Sequence, residues 1–588
     1  MRQIFSPLDG FRSPFGRLMG STAPFTPAVL FGASEPGVWY DPSDLTTLFQ
    51  DTAGTTPVTT PGQTVALALD KSKGLVLGSE TVVSPLAGAL GSSYSVVGNT
   101  IVRNGSTGTA LLNAVGGVAS ATNKTYLVTF TASGVTGDAT GIRVGGGTAY
   151  GPFSGDGTFT LRVVGGGVSG SITFIPWGGG AATATYSNIS VKELPGFHAT
   201  QATLASRPTY GIVPLGGRRN LLTFTEQFDN AAWTASGQSS VTANTTTAPN
   251  GTTTADTYSS SGAAAFGREI VQSIAYASGS YTISCYVKAG TAGWAYLQIG
   301  VGANVVRKSF NVSTGASGST QTFGTGYAFV SSSISPDLGG GWYRLALTAT
   351  TPAATANATI GLANADNGAS ISTGQFNYIW GAQLETGSSA TNYQRVGSAF
   401  DVTEAGVASL SYLSFDGVDD FLVTPTITPG IDKAQVFAGV RKLSDAAVGQ
   451  LVELGPQVSI NNGSFSMPAS DGGATWVSAV KGTGTIVVAT ATGLAAPIST
   501  VNAALMDLAL TSGETKLRIN GVQVAASTGD AGTGNFRTDL LYLGRRSGGT
   551  LPFNGQIYSL LVRFGTNLDA GTITSTETWV GGKTGVTL

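Results

Sequence analysis

At 588 residues with a formal net charge of −2, the chain is too long for one hydrophobic core and suggests roughly three to five domains. Charged residues make up 11% and apolar residues 41%, which excludes intrinsic disorder, and the near-neutral balance excludes the electrostatic signature of a duplex nucleic-acid or anionic-membrane binder. Glycine, at 84 residues, mixed with abundant Thr, Ser, Ala and Val, suits short strands joined by tight turns and predicts an all-β, multi-domain chain of antiparallel sandwiches.

Residues 1–37 read as an extended arm. Pro7, Pro14, Pro24 and Pro27 forbid a continuous helix, while Phe5, Phe11, Phe15, Phe25 and Phe31 are spaced apolar anchors that such a segment cannot bury alone. The repeated Ser-Pro-hydrophobe runs, SPLDGF and SPFGRL, favour docking on a partner surface over a free tail. The arm lacks the ~7–15-residue apolar core of a signal peptide, and no ~20-residue apolar run follows, so neither signal-peptide export nor membrane insertion is expected. Cys285 is the single cysteine, which leaves no intramolecular disulfide and fits assembly in a reducing cytoplasm.

Residues 38–75 open something new, with VWYDPSDL leading to LDKSKG; residues 197–217 carry HATQATLASRPTY, and residues 398–588 carry YLSFDGVDDFL and a tail of two apolar strands around a Gly-rich turn, closing in FNGQIYSLLVRF. Together these runs resemble the concanavalin A-like (laminin-G-like) lectin domains of tailed-bacteriophage virion proteins. The resemblance implies one sandwich assembled from 38–75, 197–217 and 398–588, interrupted by two insertions. Insertion is tolerated where an exposed loop brings its ends close together.

The first insertion, residues 76–196, alternates in KTYLVTF and closes in ATYSNISVKEL; the second, residues 218–397, alternates in GSYTISCYV and closes in FNYIWGAQLETG. An early alternating strand and a late aromatic one, twice over, predict two further β-sandwiches. The second insertion, through RRNLLTFTEQFDNAAW, GGGWYRLALTAT and GAQLE, resembles the carbohydrate-binding-module-like domains of phage fibres and head spikes, commonly jelly rolls.

Catalytic chemistry finds little to work with. A Ser-His-Asp triad needs an orienting histidine, and the only one, His198, lies in the HATQAT segment, which the resemblance implies is a structural turn; one His and one Cys are too few for a zinc centre. Cys285, inside an alternating strand, reads as a small buried hydrophobe. Acidic residues are sparse, and the densest group, Asp416, Asp419 and Asp420, reads first as turn chemistry between two strands and second as a calcium site. No enzyme and no cofactor are expected, calcium being the one alternative. The glycine runs at 145–147, 165–167, 178–180 and 339–341 lack the lysine and helix of a phosphate loop and read as hairpin turns.

Aromatic residues carry the functional signal, because a sugar ring offers an apolar C–H face to an exposed Trp or Tyr. Trp294 and Tyr296, after an AGTAG turn, and Trp476, after SDGGAT, are the preferred surface candidates; Trp177 stands beside a glycine run, and Trp342 and Trp380 read as core. The resemblance implies a virion protein, in a tail fibre or a head fibre or spike. Its arm would contact other virion proteins and its modules would bind host-surface polysaccharide. Decoration without sugar binding and depolymerisation are the alternatives. Fibres of this kind are often homotrimers, although no heptad run is present to zip one.

Overall fold

A computed structural model describes residues 24–588 except 33, 83–85, 87–93, 106–109, 113–123, 138–139, 167–171, 178–180, 237, 263–268, 369–370 and 510–513. Among the described residues the strands form six sheets, paired face to face as three sandwiches. The all-β expectation holds at this level.

The largest sandwich is built from three separated stretches of chain. Its ten-stranded front sheet contains Thr209–Pro214, Ser409–Asp416, Asn554–Phe564, Lys433–Lys442 and Ile498–Asp507, and Gly37–Tyr40 adds to it by pairing with Asn554–Phe564. The nine-stranded back sheet joins Leu48–Phe49, Leu67–Ala68 and Ala199–Thr200 to Leu422–Val423, Leu541–Leu543 and the strands from Gly449 to Thr492. Strand alternation decides which side chains meet. Val38 and Tyr40 point inward to the core that holds Phe415, Phe465 and Phe564, whereas Trp39 points out of the front sheet.

That outer face is covered by the protein itself. A helix, α1 (Ala570–Thr584), lies across it, and Trp39 meets Trp579 edge to face at 5.7 Å. The helix was not expected from a sequence rich in Thr and Gly. Asp569 caps it, its Oδ1 accepting from the Thr572 backbone N–H at 2.9 Å, and Gly585 ends it at φ 73°, where a side chain would be strained. The underside of the helix is also fixed by charge: Arg518 donates to both oxygens of the buried Glu577, at 2.8 and 2.9 Å.

The same face corrects the reading of the arm. Leu30 and Phe31 are buried with Trp39, Phe437 and Leu561, and Phe25 packs on the same cluster. Arg563 donates to the Leu30 carbonyl at 2.8 Å and pairs with Glu35 at 2.7 Å. Phe25 and Phe31 therefore anchor the segment to its own sandwich, and the described residues from 24 to 37 are part of that body. Phe5, Phe11 and Phe15 lie outside the described residues.

The first inserted sandwich packs a five-stranded on a four-stranded sheet, with Tyr126, Val128 and Phe130 of the long strand Thr125–Gly137, and Tyr186 of the strand beside it, sharing a core with Phe174 of the opposing sheet. The second packs two six-stranded sheets around Ile283, Cys285, Val287 and Leu345. Each is fastened at its base. Arg162 of the first donates to the Gly54 carbonyl at 2.7 Å and lies 4.2 Å over the Phe49 ring, and Arg219 of the second pairs with Glu404 at 2.8 Å.

Candidate functional site

Trp294–Val301 is an interior strand of one six-stranded sheet of the second insertion, between Asn304–Asn311 and Ala354–Ala363. Ala295, Leu297 and Ile299 enter the core, so Trp294, Tyr296 and Gln298 project from the outer face. The sequence reading brought Trp294 and Tyr296 to one surface, but their surroundings differ.

Tyr296 is only 5% exposed. Its ring lies flat on Gly361, where any Cβ would overlap it, and the Arg307 guanidinium covers the other side at 4.5 Å. Its hydroxyl donates to Glu269 Oε1 at 3.0 Å, and Arg307 Nε donates to Gln298 Oε1 at 2.9 Å. Burial beside the Glu269 charge holds the phenol well above its ordinary pKa. With both ring faces occupied, Tyr296 cannot stack on a sugar, and it acts instead as the centre of a rigid polar cluster.

Trp294 is half-buried at the start of its strand. Its ring edge passes over Gly318, and Asp366 borders the same glycine; a Cβ there would fall 2.6 Å from each. Asp366 accepts from the Ser319 backbone N–H at 2.7 Å and from its hydroxyl at 2.6 Å. Those bonds hold its carboxyl below the usual carboxylate range. The result is an indole with a fixed carboxylate and hydroxyl at its rim, beside the Tyr296–Arg307 cluster.

Trp476 is 0% exposed and belongs to the core of the large sandwich. The SDGGAT turn ends before it, and Thr475–Lys481 is an interior strand whose alternation sends Trp476 inward. It is no surface platform. Trp177 is 41% exposed and rests on Gly141 and Gly151. Trp342 and Trp380 are buried, with indole N–H groups donating to the Thr247 carbonyl and the Thr254 hydroxyl.

Asp416, Asp419 and Asp420 converge, each offering a carboxylate oxygen within 4.8 Å of the others. Asp416 Oδ1 accepts from the Val418 N–H at 2.8 Å, Asp420 Oδ2 from the Asp416 N–H at 3.1 Å, and Asp419 Oδ2 from the Ser206 hydroxyl at 2.6 Å. Burial first, then the neighbouring Asp416 charge, push the Asp420 carboxyl up to about 7. These are the residues that would hold a hard cation. Asp416 and Asp420 already shape the turn through backbone hydrogen bonds, and Asp419 ties it to Ser206.

His198 and Cys285 are structural in their contacts. His198 Nδ1 accepts from the Asp70 N–H at 2.9 Å and Nε2 lies 3.2 Å from the Leu194 carbonyl, which fixes the neutral Nε2–H tautomer; burial pushes its pKa down to about 4. Cys285 is fully buried and its thiol is pushed up to about 12. No helix among the described residues is long and apolar enough to cross a membrane.

No family model matches the chain, and no curated protein matches it. Among solved structures, the IT-sialidase CBM40 of Ruminococcus gnavus aligns at 18% identity, covering 25% of this chain and 84% of its own, with a TM-score of 0.21. The same module bound to α2,3-sialyllactose gives equal values. The binding domain of botulinum neurotoxin DC in complex with SialylT is similar at 11% identity over 29% of this chain and 42% of its own, with a TM-score of 0.23.

Proposed function

We propose that this chain is a non-enzymatic, glycan-binding structural protein of a bacteriophage virion, a tail fibre or head fibre or spike. Residues 1–23 contact the particle, and the modules reach host-surface polysaccharide. The observation that carries the glycan part is Trp294: a half-buried indole on an outer sheet face, rimmed by Asp366 and Ser319 and backed by the Tyr296–Arg307–Glu269 cluster. An apolar ring face with fixed hydrogen-bonding groups at its edge is what a pyranose requires. The phage part rests on the sequence resemblance alone.

Millimolar affinity per module, about −4 kcal/mol, is enough when many copies act together, because avidity adds ~10²–10⁴. The test is a glycan array probed with full-length protein and its Trp294→Ala variant, with a reducing-end assay on host polysaccharide. Binding that the variant loses, with no reducing ends released, supports the reading. Released ends would make the protein a depolymerase.

A second reading, decoration without sugar binding, is favoured by the burial of Tyr296 and Trp476. An array with no positive glycan would put it first.

A further inference from the structure

The large sandwich carries an open groove of about 710 Å³ on the outer face of its front sheet, where Ile498–Asp507, Thr515–Ile519 and Val522–Ser527 run past the first turn of α1. Its volume falls in the ~300–1,000 Å³ range of small-ligand sites. One wall is apolar, formed by Leu505, Leu568 and Ile573. Against it stands Asp507, only 6% exposed, whose Oδ2 accepts from Asn567 Nδ2 at 3.1 Å. Asn567 is oriented in turn by Gln435, whose Nε2 donates to Asn567 Oδ1 at 2.9 Å. Asp507 Oδ1 has no hydrogen-bond partner among the described residues.

Asp507 Oδ1 is closed to solvent, and a buried acceptor without a donor is unfavourable, so the site favours a ligand whose O–H groups reach it on binding. The charges around it restrict which one. Lys516 is paired with Glu514 at 2.9 Å, and Arg518 is held by Glu577 and the Gly521 carbonyl. Both cations lining the groove are thus already neutralised, and a carboxylated ligand would meet Asp507 with no compensating charge. An uncharged sugar meets none of these objections: its hydroxyls donate to the carboxylate, and its C–H face lies on the leucine and isoleucine wall.

We propose that this groove is a second saccharide site, selective for an uncharged pyranose over a sialylated one. It rests on the glycan-binding reading for its ligand class and is independent of Trp294 and its sheet. The experiment is saturation-transfer NMR on the full-length protein with methyl α-glucoside, methyl β-galactoside, N-acetylglucosamine and sialyllactose as probes. Three variants are compared: Trp294→Ala alone, and Asp507→Asn and Thr528→Trp, which fills the exposed rim, each placed in the Trp294→Ala background so that only the groove is read.

An uncharged probe should bind, with affinity at least about tenfold weaker in Asp507→Asn and abolished in Thr528→Trp at an unchanged thermal midpoint. The proposal is overturned if no uncharged probe binds, if only sialyllactose binds, or if binding survives both groove variants. Loss in Trp294→Ala alone would overturn it while sparing the Trp294 site. Loss only when a groove variant is added would uphold it and show that these probes do not use the Trp294 site.

Discussion

The backbone N–H of Asp70 donates to Nδ1 of His198 at 2.9 Å, joining two residues separated by 128 positions and by the whole first insertion. The Asp70 carboxylate completes the junction: Oδ1 accepts from the Trp39 and Ser72 N–H groups and Oδ2 from the Phe197 N–H, each at 2.8 Å. One aspartate therefore ties the strand before the insertion to the strand after it. This is the physical content of the LDKSKG and HATQAT runs.

The junction makes stability depend on pH with a definite sign. His198 is held neutral, its pKa depressed from 6.5 to about 4. Its contribution is fully present above about 6.5 and is lost as pH falls toward 4, because the unfolded chain then binds the proton more readily. His198→Phe should flatten that acid-side fall. It should also lower the midpoint at pH 8, since the Asp70 N–H loses its acceptor at a cost of about 1–3 kcal/mol. Thermal melts of both proteins at pH 4, 5, 6.5 and 8 test this; parallel curves would remove His198 as the cause.

Truncation separates the arm from the sandwich. Removing residues 1–23 should leave the thermal midpoint unchanged. Removing residues 1–35 takes away Leu30 and Phe31, each contributing about 1.5–3 kcal/mol of burial, and leaves Arg563 without Glu35. Urea denaturation should show the longer deletion less stable by several kcal/mol. Equal midpoints for the two deletions would show that the segment is not part of the core.

The sign is reversed at Asp420. Its carboxyl is raised from 3.8 to about 7, so the fold favours the protonated form. The associated stability is present below about 3.8 and disappears as pH rises toward 7. Asp420→Asn should raise the midpoint at pH 8 and change little at pH 4. Millimolar calcium should leave the wild-type midpoint where it is. A calcium-induced rise that Asp420→Asn abolishes would assign the turn to a cation instead.

Much of the fold was legible because strand alternation is local. Tyr126, Val128 and Phe130 reveal an inward face by spacing two, and the Trp39, His198 and Phe415 segments carry recognisable runs. Burial of a particular aromatic was not legible, since it depends on what crosses above it. Trp476 follows a glycine turn yet faces the core, and Tyr296 projects outward yet is covered by Arg307. Phe31 looked unpartnered because most of its neighbours, Phe437, Leu561 and Val580, lie far along the chain. Helix α1 did leave signals, Asp569 before it and Gly585 after it, but its Thr-rich, Gly-containing interior masks any amphipathic stripe.

Trp294 and Trp476 give the sharpest contrast, because the same substitution should fail in different ways. Trp476→Ala opens a cavity in the core and should cost about 3–5 kcal/mol, so any loss of glycan binding would track a lowered thermal midpoint. Trp294→Ala removes a half-buried ring at a strand start, and its effect on the midpoint should be small. Its effect on binding should be at least about tenfold, or ~1.4 kcal/mol, if the indole stacks on a sugar. Asp366→Ala should weaken binding further, by removing the carboxylate held at the ring edge by Ser319. Isothermal titration with an array-positive glycan, paired with melts of each variant, separates the two effects. A Trp294→Ala protein that binds as well as wild type would leave this sheet face with no role in recognition.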